Sequence, residues 1–281
     1  MSNIAVIGIV GNSVFLPVEK FHEGGETVEA LSLHFEPGGK GFNQAVAARR
    51  CGTNVSFLAA VGREYRTEFA EFLDKEGISH TLVYKDDSTA FAAIVTDKTG
   101  SNHVTVYQGA QLSARDVSLF EESIKTADIL LLNNEVLEEV NVEAIKIAKK
   151  HGVKCILNPA PARETADYII NNIDLFTPNE HELLGIEDKE NTVITLGAKG
   201  CLIKSTDERI AGTSFGAAVD TTGAGDTFNG VLVAMLTKGY TLAVSAKIAN
   251  TVAALGVTRK YAVSSIPSTD EIEKILLDFS N

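Results

Sequence analysis

Asp220-Thr221-Thr222-Gly223-Ala224-Gly225-Asp226, continued by Thr227-Phe228-Asn229-Gly230, is a polar turn that becomes an apolar helix within a few residues. Phe228, Val231, Leu232, Met235 and Leu236 recur at helical spacing, which places Asp226 in the first turn. The leading backbone N–H groups of a helix have no intrahelical partner, and such an end attracts anions. Glycines beside it let a phosphate approach the backbone closely. Two readings of the carboxylate follow. Asp226 takes a proton from a hydroxyl while the Gly223–Gly225 turn holds the phosphoryl group that the hydroxyl attacks, or it offsets the helix dipole. The stretch by itself leaves both open.

Outward from this turn, apolar runs alternate with helical patterns. Strands are expected at Ile4–Ile9, Val55–Val61, Ile129–Leu132, Cys155–Leu157, Leu175–Phe176, Val193–Leu196 and Cys201–Lys204. Helices are expected at Gly41–Arg50, Thr67–Glu76, Val142–His151, His181–Leu184, Asp226–Lys238, Leu242–Leu255 and Thr269–Phe279. Such alternation predicts an α/β fold, a mostly parallel central sheet flanked by helices, with ligands beyond the carboxyl ends of the strands. Two parts break the rhythm. Residues Val14–Phe35 read as extended segments, and Phe91–Tyr107 as a hairpin turning at Asp97-Lys98-Thr99-Gly100. Together, residues 14–35 and 91–107 are expected to form a small β-sheet lid. No linker separates two large domains.

The chain has 281 residues, enough to bury a sizeable core. A formal charge of −12 argues against a nucleic-acid or anionic-membrane surface, so an anionic ligand must be held by local groups. Three widely spaced cysteines (Cys51, Cys155, Cys201) suit reduced thiols without a zinc site. The Met1–Ile7 start reads as a first strand and not a signal peptide, and no stretch is apolar for long enough to span a bilayer. A cytoplasmic protein is expected.

Further motifs flank the sheet. Pro37-Gly38-Gly39-Lys40-Gly41-Phe42-Asn43-Gln44 is a permissive turn into a helix, with Lys40 and Asn43 as donors, and lacks the spacing of a P-loop. Glu135 follows the Ile129–Leu132 strand, either at the ligand edge or in the next helix's first turn. Asn158-Pro159-Ala160-Pro161 and Thr177-Pro178-Asn179-Glu180 each leave an apolar strand. Asn179 and Glu182 could face one phosphate–metal group, and the same spacing is close to a capping box. Thr195-Leu196-Gly197-Ala198-Lys199-Gly200 is a hairpin turn or a nucleotide edge, and Asn250 lies among small residues of a helix.

In this order, the Gly38–Gln44 and Asp220–Phe228 stretches resemble the two signatures of the ribokinase-like (PfkB-type) sugar kinases, ribokinases above all. Asn158–Pro161, Thr177–Glu180, Thr195–Gly200 and Val257-Thr258-Arg259-Lys260 match in sequence between and after them. The resemblance covers nearly the whole chain and implies one ribokinase-like kinase domain over residues 1–281 with a β lid, commonly a lid-to-lid homodimer. It implies transfer of the ATP γ-phosphoryl group to a sugar hydroxymethyl, with Asp226 as base and Gly223, Ala224 and Gly225 as anion hole. Asn179 and Glu182 would serve the Mg²⁺–phosphate network. Thr195, Gly197, Gly200 and Asn250, with Asn179, would surround the nucleotide, while Gly39, Lys40, Asn43 and Glu135 would reach the sugar.

Departures from the family pattern bear on the substrate. Ribokinases carry an Asn and an Asp, two apart, after the first strand, and those places fall on Gly11 and Ser13. A less hydroxylated or differently substituted sugar, with an apolar group against Phe15 or Phe42, fits that loss. A nucleoside would use the space left by Gly11 and Ser13, and a vestigial sugar-sensing protein is the non-catalytic alternative. The family's monovalent cation, usually K⁺, implies a site near Asp220, Thr222 and the Gly256–Ser265 loop, with Arg259, Tyr261 and Ser265. Tyr261 replaces a glycine there, and a glycine-only backbone angle would not survive the change.

Overall fold

Asn3–Ile7 form β1, nearly all buried, in the interior of a six-stranded sheet. The computed structural model describes residues 2–65, 67–98 and 101–279. After β1 come β2 (Gly11–Pro17), β3 (His34–Gly38), helix α1 (Lys40–Arg50), β4 (Asn54–Gly62), α2 (Glu68–Glu76) and β5 (Ser79–Lys85). Next are β6 (Ala90–Thr96), β7 (Asn102–Tyr107), α3 (Glu121–Lys125), β8 (Ile129–Asn133) and α4 (Glu138–Lys150). Then follow β9 (Lys154–Asn158), α5 (Asp167–Asn172), β10 (Leu175–Phe176), and short strands β11 (Val193–Thr195), β12 (Cys201–Ile203) and β13 (Glu208–Ile210). Helices α6 (Ala224–Thr237), α7 (Leu242–Gly256) and α8 (Thr269–Leu277) close the chain.

The main sheet runs β10-β9-β8-β1-β4-β5 with every neighbouring pair parallel. Alternation along β1 divides the core. Ile4 and Val6 pack in one cluster with Phe42 and Val46 of α1 and Val231 of α6, whereas Ala5 and Ile7 pack in another with Val140 and Ala144 of α4. Covering both faces explains why β1 and β8 read as unbroken apolar runs. Because all the strands point one way, the ends of β1, β8 and β9 open onto the same edge.

A second sheet has the order β3-β2-β6-β7; β2 is parallel to β6, and the outer pairs are antiparallel. Its strands take up the two stretches that broke the alternation. Thr99 and Gly100 of the expected hairpin turn lie outside the described residues. A third, antiparallel sheet, β11-β12-β13, joins the main one through single bridges Phe176↔Thr192 and Asn179↔Thr195. Among the described residues, no helix is long and apolar enough to cross a membrane.

Several elements differ from the sequence reading. β1 stops at Ile7, and Gly11 and Ser13 belong to the second sheet. The expected helix at His181–Leu184 is absent: this stretch is a series of turns. Helix α4 starts at Glu138, four residues before the first expected position. The edge strand β5 and the short β13 and α5 escaped notice because little of each is buried, which leaves weak patterning.

Candidate active site

Helix α6 begins where the sequence places it, with Gly223 as N-cap at φ +76° and Asp226 in the first turn. A left-handed backbone angle at this cap is one that glycine adopts without steric cost. Asp226 is buried, and its carboxylate meets α1: Asn43 Nδ2 donates to Oδ2 at 2.9 Å and Gln44 Nε2 to Oδ1 at 3.4 Å. Gln44 Nε2 also donates to Asn158 Oδ1 at 3.1 Å, and Asn158 Nδ2 to the Thr177 carbonyl at 2.8 Å. Four strand and helix ends are thereby tied to one carboxylate. The amide oxygens Asn43 Oδ1 and Gln44 Oε1 are buried without a hydrogen-bond partner, an open acceptor position of the kind a ligand hydroxyl fills.

Charge is concentrated in the same place. Burial pushes the Asp226 carboxyl above the usual carboxylate range, against the opposing effect of Lys40, Asn43 and Gln44. Burial also raises Glu135 to about 7, with Lys40 opposing and Asp226 adding to the rise. The Lys40 ammonium is held above its ordinary value, first by Asp226 and then by Glu135 and Glu182, despite burial. Glu135 Oε2 accepts the Lys40 backbone N–H at 2.7 Å, and its own N–H donates to Asn133 Oδ1 at 3.0 Å. Glu135 therefore lies in the turn beyond β8 and three residues before α4, at the ligand edge of the sheet.

The Gly39 turn needs its glycine. Its φ is +118°, and a Cβ there would lie 2.3 Å from the Ile9 carbonyl oxygen. Gly11 is equally confined: a Cβ would sit 2.3 Å from Ala90 O. The backbone of β6 fills the volume that an asparagine side chain would need, so Gly11 opens no room for a nucleoside base. Ser13 is buried, its Oγ against Gly38. The expected apolar contact through Phe15 or Phe42 also fails. Phe42 has no exposed surface and packs on Phe57 and Phe72, while Phe15 is covered by His34, Tyr261 and Ala262.

Asp220 ties two loops together. Its Oδ1 accepts from Thr222 N (2.9 Å) and Oγ1 (2.7 Å), and its Oδ2 from Tyr261 N at 2.9 Å. Tyr261 has φ +76°, so the left-handed angle survives the loss of glycine, contrary to expectation. Its amide is held by Asp220, and its ring stacks on His34 at 3.7 Å and meets Phe15 edge-on at 5.0 Å. These contacts offset the steric cost. The Arg259 side chain turns away to Glu271, with Nη1–Oε2 at 3.0 Å, and leaves only its backbone to the loop. Gly256 ends α7, and Ser265 Oγ donates to the Ala262 carbonyl at 2.8 Å.

Asn179 and Glu182 do pair, but without a helix: Asn179 N and Nδ2 donate to Glu182 Oε2 (3.0 Å) and Oε1 (2.8 Å). Thr195, at the end of β11, donates its N–H to Pro178 O at 2.9 Å, which brings it beside Asn179. Gly197 is exposed at φ +56°, whereas Gly200 is buried, with its N–H and C=O both used inside the turn by Gly197 and Leu196. Gly200 thus shapes the hairpin. Asn250 on α7 lies against Cys201 of β12, with Nδ2–Sγ at 3.5 Å.

A carbohydrate kinase model, the pfkB family, matches residues 1–269. The chain belongs to this family. It is 36% identical to ribokinase of Haemophilus influenzae, over 97% of this chain and 98% of that one. It is 33% identical to deoxyribokinase of Salmonella typhimurium, over 98% of each. The solved ribokinase of Thermotoga maritima superposes with a TM-score of 0.87 at 31% identity, covering 99% of this chain and 100% of that one. The pfkB assignment makes the chain an ATP-using phosphotransferase with an alcohol group as acceptor.

Within this pfkB centre, sequence reasoning missed three contributors. Gln44 and Asn158 stand in the sequence motifs without an evident task, yet they are the link between Asp226 and the strand ends. Asn229 donates to the Gly225 carbonyl at 2.8 Å and accepts from the Thr177 hydroxyl, fixing the turn before Asp226. The places of Gln44 on α1 and Asn229 on α6, next to Asn43 and Asp226, were a signal, as was that of Asn158 at the end of β9. The partners that join separate elements (Gln44 with Asn158 and Asp226, and Asn229 with Thr177) lie more than fifty residues away and could not be read from it.

Proposed function

We propose that this kinase transfers the ATP γ-phosphoryl group to the hydroxymethyl of a pentofuranose, ribose or its 2-deoxy relative, with Asp226 as general base. The observation that carries the reading is the Asp226 carboxylate, buried at the head of α6 and oriented by Asn43 and Gln44 beside Lys40. An elevated pKa suits a group that must take a proton from an alcohol during transfer. The Gly223–Gly225 amides at the helix start would stabilise charge on the transferring group, which is the larger part of phosphoryl-transfer catalysis. Lys40 and Asn43, whose Oδ1 is an open acceptor, would grip the sugar together with Gly39 and Glu135. Thr195, Gly197, Asn179 and Asn250 would line the nucleotide.

Glu182 with Asn179 offers one carboxylate and an amide, which fits a Mg²⁺ held mainly by phosphates and water. When bound, that ion would neutralise charge on the phosphates. Tyr261 adopts the left-handed backbone angle that a glycine would take at its position, so the tyrosine would be no obstacle to a K⁺ site in the Asp220–Tyr261 loop. The second sheet would act as the lid. Leu33, Phe35, Phe91, Val106 and Tyr107 expose large apolar surface on it, which supports a homodimer through the lid. The three buried free thiols suit a cytoplasmic setting.

The sugar's other hydroxyls meet a lighter grip from β2. A carboxylate accepting a hydroxyl bond contributes about 1.5–3 kcal/mol, and Gly11 and Ser13 supply none. A panel of ribose, 2-deoxyribose, hexoses and nucleosides in an ADP-release assay tests the reading. The kcat/KM for 2-deoxyribose should lie within about tenfold of that for ribose. Turnover of nucleosides alone, or of no pentose, would overturn it.

A further inference from the structure

Glu36, a lid side chain, gives its carboxylate over mainly to a loop from the far end of the chain. It is buried on β3, directly opposite Ser13 of β2, and so on the sheet face that carries Phe15. Oε1 accepts from Ala262 N at 2.7 Å and Val263 N at 3.0 Å; Oε2 accepts from Ser264 N at 3.1 Å and from the Ser264 hydroxyl. Four donors from this segment occupy the carboxylate, and His34 Nε2 lies 3.4 Å from Oε2 as a further neighbour, so its four acceptor positions are taken up by the protein and none is left for a sugar. The gripped segment has a second neighbour. Ala262 Cα lies 3.2 Å from where a Gly223 Cβ would stand, and Tyr261, one residue earlier, donates to Asp220, which also holds Thr222. The chain of contact is short: lid carboxylate, loop backbone, then the turn that precedes Asp226.

We propose that Glu36 is a positioning residue for phosphoryl transfer. It holds Ala262, Val263 and Ser264 against Gly223 and Thr222, so that the anion hole takes its working shape only with the lid in contact. The inference rests on Gly223–Gly225 being that hole. It also assigns the carboxylate on this lid face to the protein's own backbone instead of to the substrate.

A carboxylate that merely glued the lid would cost stability and leave turnover in the folded enzyme unchanged. A positioning role predicts a different split. In full-length enzyme with ATP and its best pentose, Glu36→Asp draws the carboxylate back by one methylene, and Glu36→Gln replaces two acceptor positions with donors. Both should lower kcat by about tenfold or more, since small misplacements at a transfer site cost that much. The KM for ATP should stay within about threefold, and the kcat deficit should persist at saturating sugar. Ser264→Ala removes a single donor from an exposed residue and should give a smaller loss in the same parameter. Full kcat in folded Glu36→Asp and Ser264→Ala overturns the proposal, as does a deficit that saturating sugar abolishes. Asp226→Asn run alongside separates the levels: if it keeps turnover, the reading of the site itself fails. If it is inactive while Glu36→Asp is normal, only the positioning role fails.

Discussion

Replacing Asp226 with Asn tests whether this buried charge is kept for chemistry at a cost in stability. The substitution preserves size and one acceptor oxygen but removes the proton-accepting charge. Loss of a general base lowers turnover by about 10²–10⁴-fold, or about 3–5 kcal/mol of barrier. Stability should move the other way. Burial is the largest influence on Asp226 and raises its pKa, so Lys40, Asn43 and Gln44 do not fully offset desolvation of the ion. A carboxyl whose folded pKa lies above its unfolded value binds more protons when folded, and stability is lost as pH rises past the unfolded value, about 3.9. The neutral Asn escapes that loss. Asp226→Asn should therefore have a Tm equal to or above that of the parent at pH 7, with the difference shrinking towards pH 4. Coupled ADP-release kinetics and calorimetric melts across pH 4–8 would check both halves. Turnover within tenfold of the parent would refute the base assignment. A Tm several degrees lower at pH 7 would refute the desolvation argument, because it would mean that the ion stabilises the fold.

Glu135, raised to about 7 by burial, should be neutral below that pH and unable to accept hydroxyl bonds as an ion. The KM for sugar should accordingly rise as pH falls through 7, and Glu135→Gln should flatten that dependence; an unchanged profile in the variant would count against it. Tyr261→Ala keeps the left-handed backbone strain and loses the His34 stack, whereas Tyr261→Gly loses the stack but relieves the strain. The glycine variant should melt about 2–3 °C above the alanine variant, the equivalent of about 1 kcal/mol; equal Tm values would mean that the angle carries no cost. Light scattering after size exclusion should find a dimer that Phe35→Glu or Val106→Glu dissociates. A monomeric parent would remove the lid from that role.

What the sequence determined by itself was local. Strand–helix alternation around Ile4, Ile129 and Cys155 was legible because both faces of a parallel sheet are covered, which forces continuous apolar runs. The Gly223–Asp226 turn was legible because unpaired helix N–H groups and glycines have a fixed meaning next to one another. Capping-type pairing of Asn179 and Glu182 was visible too, although no helix follows it. Tertiary structure decided everything that depends on approach between distant segments. Only there does Gly11 prove to be filled by the Ala90 backbone, Phe42 to be core, and Tyr261 to keep a glycine-like angle through contacts with Asp220 and His34. Only there does Gln44 reach both Asp226 and Asn158, and Glu36 the 262–264 backbone. Periodicity encodes which face of an element is buried. It carries no information about which buried partner, over a hundred residues away, completes a carboxylate's hydrogen bonds.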